Sequence, residues 1–193
     1  MQKNGIIHFL TNSFSCFDID SGQANELDLG CGKGGFTCSL ASKYTDRKIF
    51  AADVMLGRLR KLEKRASREG LANIELFRVE AWNLVGHVLP DGSFDRIHIL
   101  CPDPWPKDKH RGNRLLSSEF IGRILRVLKK NGVLHFATDD KYYYSSVTGL
   151  FSRNAYYARD DSRISDIMGL KSDFESKWEA EGTSVEHSAW VRK

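Results

Sequence analysis

The sequence predicts a doubly wound α/β fold, with a mostly parallel sheet that ends in an antiparallel C-terminal hairpin strand. Three observations carry this expectation. From about residue 26 onward, short apolar runs alternate with amphipathic stretches, the pattern of successive βαβ units. A glycine cluster, "LGCGKGG" at 29–35, separates the first apolar run from the first amphipathic stretch. Near the end, "TSVEHSAWV" at 183–191 is rich in strand formers, and the hairpin is expected after Tyr156-Tyr157.

Residues 1–25 read as an N-terminal arm or cap, and residues 26–193 as one domain. The arm's apolar patch, Ile6, Ile7, Phe9 and Leu10, is broken by His8 and followed by Thr11-Asn12-Ser13, too short for a signal-peptide core. Strands are expected near 26–30, 48–53, 73–79, 94–101 and 132–138. Helices are expected over Gly35 to Tyr44, Met55 to Glu69, Trp82 to Val88, Ser118 to Lys129 and Lys141 to Phe151. The helix in "SEFIGRILRVLKK" is the best patterned: Phe120, Ile121, Ile124, Leu125 and Leu128 share one stripe, and Asn131-Gly132 reads as its stop.

Composition limits the function classes. The 193 residues suit one core, and 41% hydrophobic with 28% charged residues excludes disordered and fibrous chains. No segment approaches the roughly 20 apolar residues of a membrane helix, so no membrane partner and a cytoplasmic location are expected. The net charge of +4 is too small to indicate nucleic acid by itself, so the placement of cations matters more. Cysteines 16, 31, 38 and 101 form no CxxC pair and have no histidine at zinc spacing, which predicts reduced thiols and no metal.

The first chemical constellation is the glycine cluster. Gly30, Gly32 and Gly35 have GxGxxG spacing, with Gly34 in addition, between an expected strand and helix: a Rossmann-like nucleotide turn. Asp53 ends the next strand in "IFAAD", where it would accept ribose hydroxyls. A dinucleotide and S-adenosyl-L-methionine share this geometry. Asp28, just before the glycines, favours the second, because a carboxylate there attracts the ammonium of a methionine moiety and repels a pyrophosphate. Glu80, with Ala81 following it, is placed for the adenine amino group. For Asp53 or Glu80 taken singly, capping the next helix is an equal reading.

The second constellation is "CPDPWPKDKHRGNRL" at 101–115, after the fourth strand. Three prolines in five residues hold a backbone shape without a hydrogen-bond ladder. Ligands of open α/β sheets lie beyond the carboxyl ends of the strands, so this loop is expected beside the cofactor. Lys107, Lys109, Arg111 and Arg114 give it a cationic end; if all four met phosphates of a single strand, affinity would fall with salt at a log–log slope of roughly −3. Trp105 is expected to anchor the loop on the core. His98, in "DRIHIL", reads as a packed histidine.

"PDPWPKDKHRGNRL", with "ATDDKYY" at 137–143, resembles the signature of the tRNA (guanine-N7)-methyltransferase family. The resemblance runs from about Glu26 to the C-terminus and implies a class I methyltransferase fold. It also implies methyl transfer from S-adenosyl-L-methionine to N7 of a tRNA guanine, guanine 46 of the variable loop, by a monomer or homodimer. On this resemblance the cofactor contacts fall on Asp28, Gly30, Gly32, Gly34, Asp53, Glu80, Ala81 and Asp103. Asp103 is the catalytic position, and Lys107, Asp139, Ser172, Asp173, Phe174 and Glu175 are the substrate contacts. The chain has Asp at 28 and 53 where the family usually has Glu, and Ser172-Asp173 where it usually has Thr-Lys. Two other readings stand beside this one: a nicotinamide-dependent oxidoreductase, which lacks an evident Tyr-x-x-x-Lys relay, and a catalytically weakened RNA-binding homologue.

Overall fold

A computed structural model describes residues 7–9, 17–105 and 107–193, except for the side chains of Phe9, Asp108 and Arg111. Most of the expected arm, with Cys16, and Pro106 of the loop lie outside the described residues. Strands β1 (Ile7–Phe9), β2 (Asn25–Leu29), β3 (Lys48–Asp53), β4 (Ile74–Arg78), β5 (Phe94–Leu100), β6 (Leu128–Thr138), β7 (Tyr157–Arg159) and β8 (Glu186–Arg192) form one sheet. Its order is β1-β4-β3-β2-β5-β6-β8-β7. All neighbours from β1 to β6 pair in parallel, while β8 is antiparallel to both β6 and β7. The winding runs outward from β2 to β4, then reverses at β5, so the carboxyl ends of β2 and β5 meet at a switch point.

The helices are α1 (Gly35–Lys43), α2 (Leu56–Arg68), α3 (Ala81–Asn83, continued by a π turn over Leu84–Val88), α4 (Ser118–Val127), α5 (Lys141–Ser152) and α6 (Asp173–Ala180). Apolar cores form on both faces of the sheet. One contains Phe77, Phe94, Phe120, Phe136 and Tyr143, and the other Leu40, Leu59, Leu62 and Leu76. Alternation along β2 sends Leu27 and Leu29 to the first core, leaving Glu26 and Asp28 together on the other face. All five β2 residues are buried, so these two carboxylates must find partners inside the protein.

Three expectations change. β1 is a short edge strand on β4 from within the expected arm, and its His8 contacts Glu75 at 2.9 Å. α4 stops at Val127, and Leu128 opens β6 opposite Phe94. Asn131-Gly132 is thus a bulge within the strand rather than a helix stop: the register jumps from Phe94↔Leu128 to Arg96↔Val133, with Asn131 at φ 62°. Pairing with β5 overrides the helical stripe that continues to Leu128. Finally, β7 and β8 are antiparallel neighbours without a tight hairpin. Residues 160–185 carry a 3₁₀ turn (Asp161–Ile167) and α6, and β8 enters between β6 and β7.

Candidate active site

The turn after β2 takes its shape from glycine. Gly30, Gly32 and Gly34 have φ of 86°, 58° and 85°, the left-handed region that side chains resist. The amides of Gly30 and Cys31 both donate to the Ala52 carbonyl (2.8 and 3.0 Å), tying the turn to β3. A Cβ on Gly34 would stand 2.3 Å from Leu62 Cγ, so that glycine serves helix packing. One on Gly30 or Gly32 would meet nothing within 4 Å, so their backbone is bare to open space.

That space is two adjoining cavities of about 410 and 270 Å³, which share Gly30, Arg58, Leu100 and Phe174. The larger brings together Asp53, Ala81, Asp103, Asp139 and Phe174 of the expected site residues; the smaller brings together Asp28, Gly32, Ser172, Asp173 and Phe174. Gly34, Glu80, Lys107 and Glu175 do not line either one. Glu80 is exposed at the N-cap of α3 and makes no side-chain cap bond, so capping does not account for it.

Asp28 is 3% exposed and accepts a hydrogen bond from the Thr37 hydroxyl at 2.5 Å. Burial outweighs that bond and pushes its carboxyl up to about 6. The folded protein therefore holds this proton more tightly than the unfolded chain, so Asp28 favours folding most at low pH, and that contribution is lost as pH rises through about 6. Asp28→Asn is expected to raise stability at neutral pH by roughly 3 kcal/mol, read as a higher urea midpoint. An unchanged or lower midpoint would contradict this account.

Asp53 shows that a strand-end acid can serve two ends. Its Oδ1 accepts from Met55 N (2.7 Å) in an Asx turn ahead of α2. The N-cap of α2 is Met55, with no side-chain cap, so the expected capping role is not the one Asp53 takes. Its Oδ2 accepts from Gly32 N (3.1 Å) and Arg58 (3.4 Å) beside the cavities. Arg58 stands at the junction of the two cavities. In sequence it is one cation among several on an amphipathic helix, and only its position five residues after Asp53 hints at its place.

The proline loop forms the outer wall. Cys101 (φ 54°) and Trp105 (φ 42°) both hold left-handed backbone, bracketing Asp103, which is exposed at the larger cavity. Trp105 is 38% exposed and lines that cavity, which corrects the expectation that it anchors the loop. The anchor is Arg114. Its Nε donates to the Pro104 carbonyl (2.7 Å), and its guanidinium lies over Tyr143 at 5.0 Å. Arg114 is thus turned inward, while Lys107 and Lys109 are exposed.

α6 covers the site from the other side. Ser172 and Glu175 form a capping box, in which the Ser172 hydroxyl accepts from Glu175 N (3.1 Å). Asp173 faces Arg65 at 3.6 Å and packs so closely on Gly35 that a Cβ there would lie 2.7 Å from Asp173 Oδ1. Phe174 stacks on Trp178 at 5.6 Å and is half exposed to the cavities. Glu175 itself is buried, with Oε1 against His187 at 3.1 Å, so it stands behind the cavity wall. Thr37, Arg58 and Trp178 are site neighbours that no local motif marks.

A glycine-rich turn under a switch point, with paired cavities and an antiparallel strand inserted next to the sheet's last edge, defines a class I methyltransferase fold. The 16S rRNA methyltransferase KamB shares it, with a TM-score of 0.63 at 15% identity over 88% of each chain. The family model described as "Putative methyltransferase" matches residues 23–188. A tRNA (guanine-N(7)-)-methyltransferase of Neisseria meningitidis serogroup C is 33% identical over 176 residues, 90% of this chain and 72% of the relative. The chain belongs to the tRNA (guanine-N7)-methyltransferase family. The Thermotoga maritima enzyme of that name is 28% identical over 156 residues, and there the match spans 81% of this chain and 50% of the relative.

Proposed function

We propose that this chain transfers a methyl group from S-adenosyl-L-methionine to N7 of a tRNA guanine, guanine 46 of the variable loop. The observation that carries this reading is the buried Asp28 carboxylate at the base of the smaller cavity. Among the described residues its side chain has a hydroxyl partner and no ion pair, and burial raises its carboxyl. An ammonium group is the ligand such a site lacks, and a pyrophosphate is one it repels. The bare backbone of Gly30 and Gly32 and the Asp53 carboxylate suit the rest of the cofactor. When bound, S-adenosyl-L-methionine supplies an electrophilic methyl on a sulfonium. Ala81 and Val79 offer an apolar surface to a base, and Asp103 and Asp139 face the larger cavity, where a guanine would be held.

An ammonium that binds ionised Asp28 requires its proton to leave first. Affinity for the cofactor should be level above pH about 6 and fall roughly tenfold per pH unit below it. Calorimetric titration from acid to neutral pH checks this, and a flat profile would reject Asp28 as the ammonium partner.

RNA contact is expected to be less salt-sensitive than four cations would make it, because Arg114 is committed to the loop's own carbonyl. Lys107 and Lys109 together account for a log–log slope of about −1.4, so mutating both to alanine should flatten the slope by that amount. The function is tested by incubating the chain with unmodified tRNA and labelled S-adenosyl-L-methionine and mapping the methyl group. Label on guanine N7 is the expected result. Binding of a nicotinamide dinucleotide in the cofactor's place, or RNA binding with no transfer, would overturn the proposal.

A further inference from the structure

Three histidines on neighbouring strands form a line through the sheet that the cavities do not use. His98 on β5 meets Glu26 Oε2 through Nε2 at 2.9 Å, and its Nδ1 meets His135 Nδ1 on β6 at 3.1 Å. His135 Nε2 meets His187 Nδ1 on β8 at 3.0 Å, and His187 Nε2 meets Glu175 Oε1 on α6 at 3.1 Å. His98 and His135 are register partners and almost wholly buried, with the Phe36 ring packed edge-on against His98 at 4.9 Å.

Each of the four contacts needs one hydrogen between two atoms that otherwise both accept. Ionised Glu26 and Glu175 bring none, and three neutral imidazoles bring three protons. Four contacts therefore require a fourth, which leaves one positive charge on the line.

The surrounding charges ask for the same proton. Glu26 also binds Arg96 (2.8 Å) and Arg47, and Arg96 continues to Asp166 (2.9 Å). Two acids and two bases make that set neutral. Tyr44 donates to Asp166, and Asp28, the other acid on this face of β2, is bonded to Thr37. Glu175, on α6, is likewise buried, and His187 is its one ion-pair partner among the described residues, so an uncharged histidine there would leave a costly unmatched charge. A proton shared along the histidines balances it.

We propose that His98, His135 and His187 share four ring protons as one buried relay, and that this relay positions α6 so that Ser172, Phe174 and Trp178 stay against the cavities. In this arrangement the histidines are positioning residues; they act through Glu175 and touch no ligand. Their effect on turnover rests on the methyl-transfer reading, whereas the proton count and the helix anchoring do not.

The test uses the full chain labelled with ¹⁵N-histidine. At neutral pH, ring nitrogen spectra should show four N–H protons over the three rings. A count of three overturns the relay, and this measurement needs no mutant. His187→Leu cuts the line, while His187→Gln keeps an amide donor for Glu175 and a carbonyl for His135. Amide exchange across α6 should rise by at least about tenfold in the leucine variant and stay within about twofold of the unaltered chain in the glutamine variant. Unchanged exchange in the first, or loss in both, overturns the positioning role. In methyl-transfer assays, the leucine variant should raise KM for RNA and weaken cofactor binding together, because α6 walls both cavities, and the glutamine variant should restore both. If the unaltered chain methylates no RNA, the functional reading fails, and the ring count and exchange data still decide this proposal.

Discussion

Asp103→Asn is expected to lower the rate of methyl transfer by about a hundredfold or more while leaving cofactor affinity within about twofold. Guanine N7 has no proton to remove, so the barrier depends on alignment and on the positive charge that moves from sulfur onto the guanine ring. A carboxylate that accepts from the guanine N1–H and N2–H₂ both aims the base and stabilises that cation. Asparagine keeps one acceptor, turns a donor towards the other partner and removes the charge. Asp103 has the placement this requires: it is exposed at the larger cavity, with Asp139 in the same wall, and Pro102 and Pro104 restrict its backbone on either side. Single-turnover rates at saturating cofactor would measure the effect, and full activity in the variant would remove Asp103 from the mechanism.

The largest effect on stability is expected from Glu26→Gln. Glu26 lies wholly buried in the central strand and meets Arg96, Arg47 and His98. Burial alone would raise its carboxyl, but the hydrogen bonds and charges of His98 and Arg96 hold it down to about 2. With the folded value depressed, its contribution is present above the ordinary carboxylate range and is lost as pH falls towards 2. Glutamine leaves two guanidinium groups without their shared anion, a change that costs about 3–5 kcal/mol. Urea titration should show a much lower midpoint at unchanged slope, and a loss below about 1 kcal/mol would mean that the arginines find other partners. Replacing Glu26 together with Arg96 by well-packed apolar residues should recover most of the loss, since the pair's value lies largely in not being broken.

How far these features can be read from sequence depends on whether the cause is local. Strand and helix periods, the glycine turn and the acid at the end of β3 are written in neighbouring residues, and the expected elements from β2 through α5 appear within a few positions. The bulge at Asn131-Gly132 was not legible, because pairing of Leu128 with Phe94 decides it and residues 34 apart in sequence carry no shared pattern. Arg114 reads as one more loop cation until Tyr143 and the Pro104 carbonyl are brought beneath it. Glu175 enters from sequence only as a substrate contact implied by the family resemblance, and only β8 reveals that it faces inward to His187. Arg58 carries no local signal either, since an arginine on a polar helix face looks alike whether or not a cavity opens beside it.

The left-handed backbone at Cys101 and Trp105 has a consequence for substrate choice. Such conformations cost non-glycine residues on the order of 1–3 kcal/mol each, and here the prolines and Arg114 keep them in place before any RNA arrives. A loop set in this way is expected to present Asp103 to a base rather than to wrap around it. Under the proposed function, the few kcal/mol needed to extrude a stacked base falls on the RNA. On that reading, guanines already turned out of their stack are expected to be methylated in preference to those held in stems.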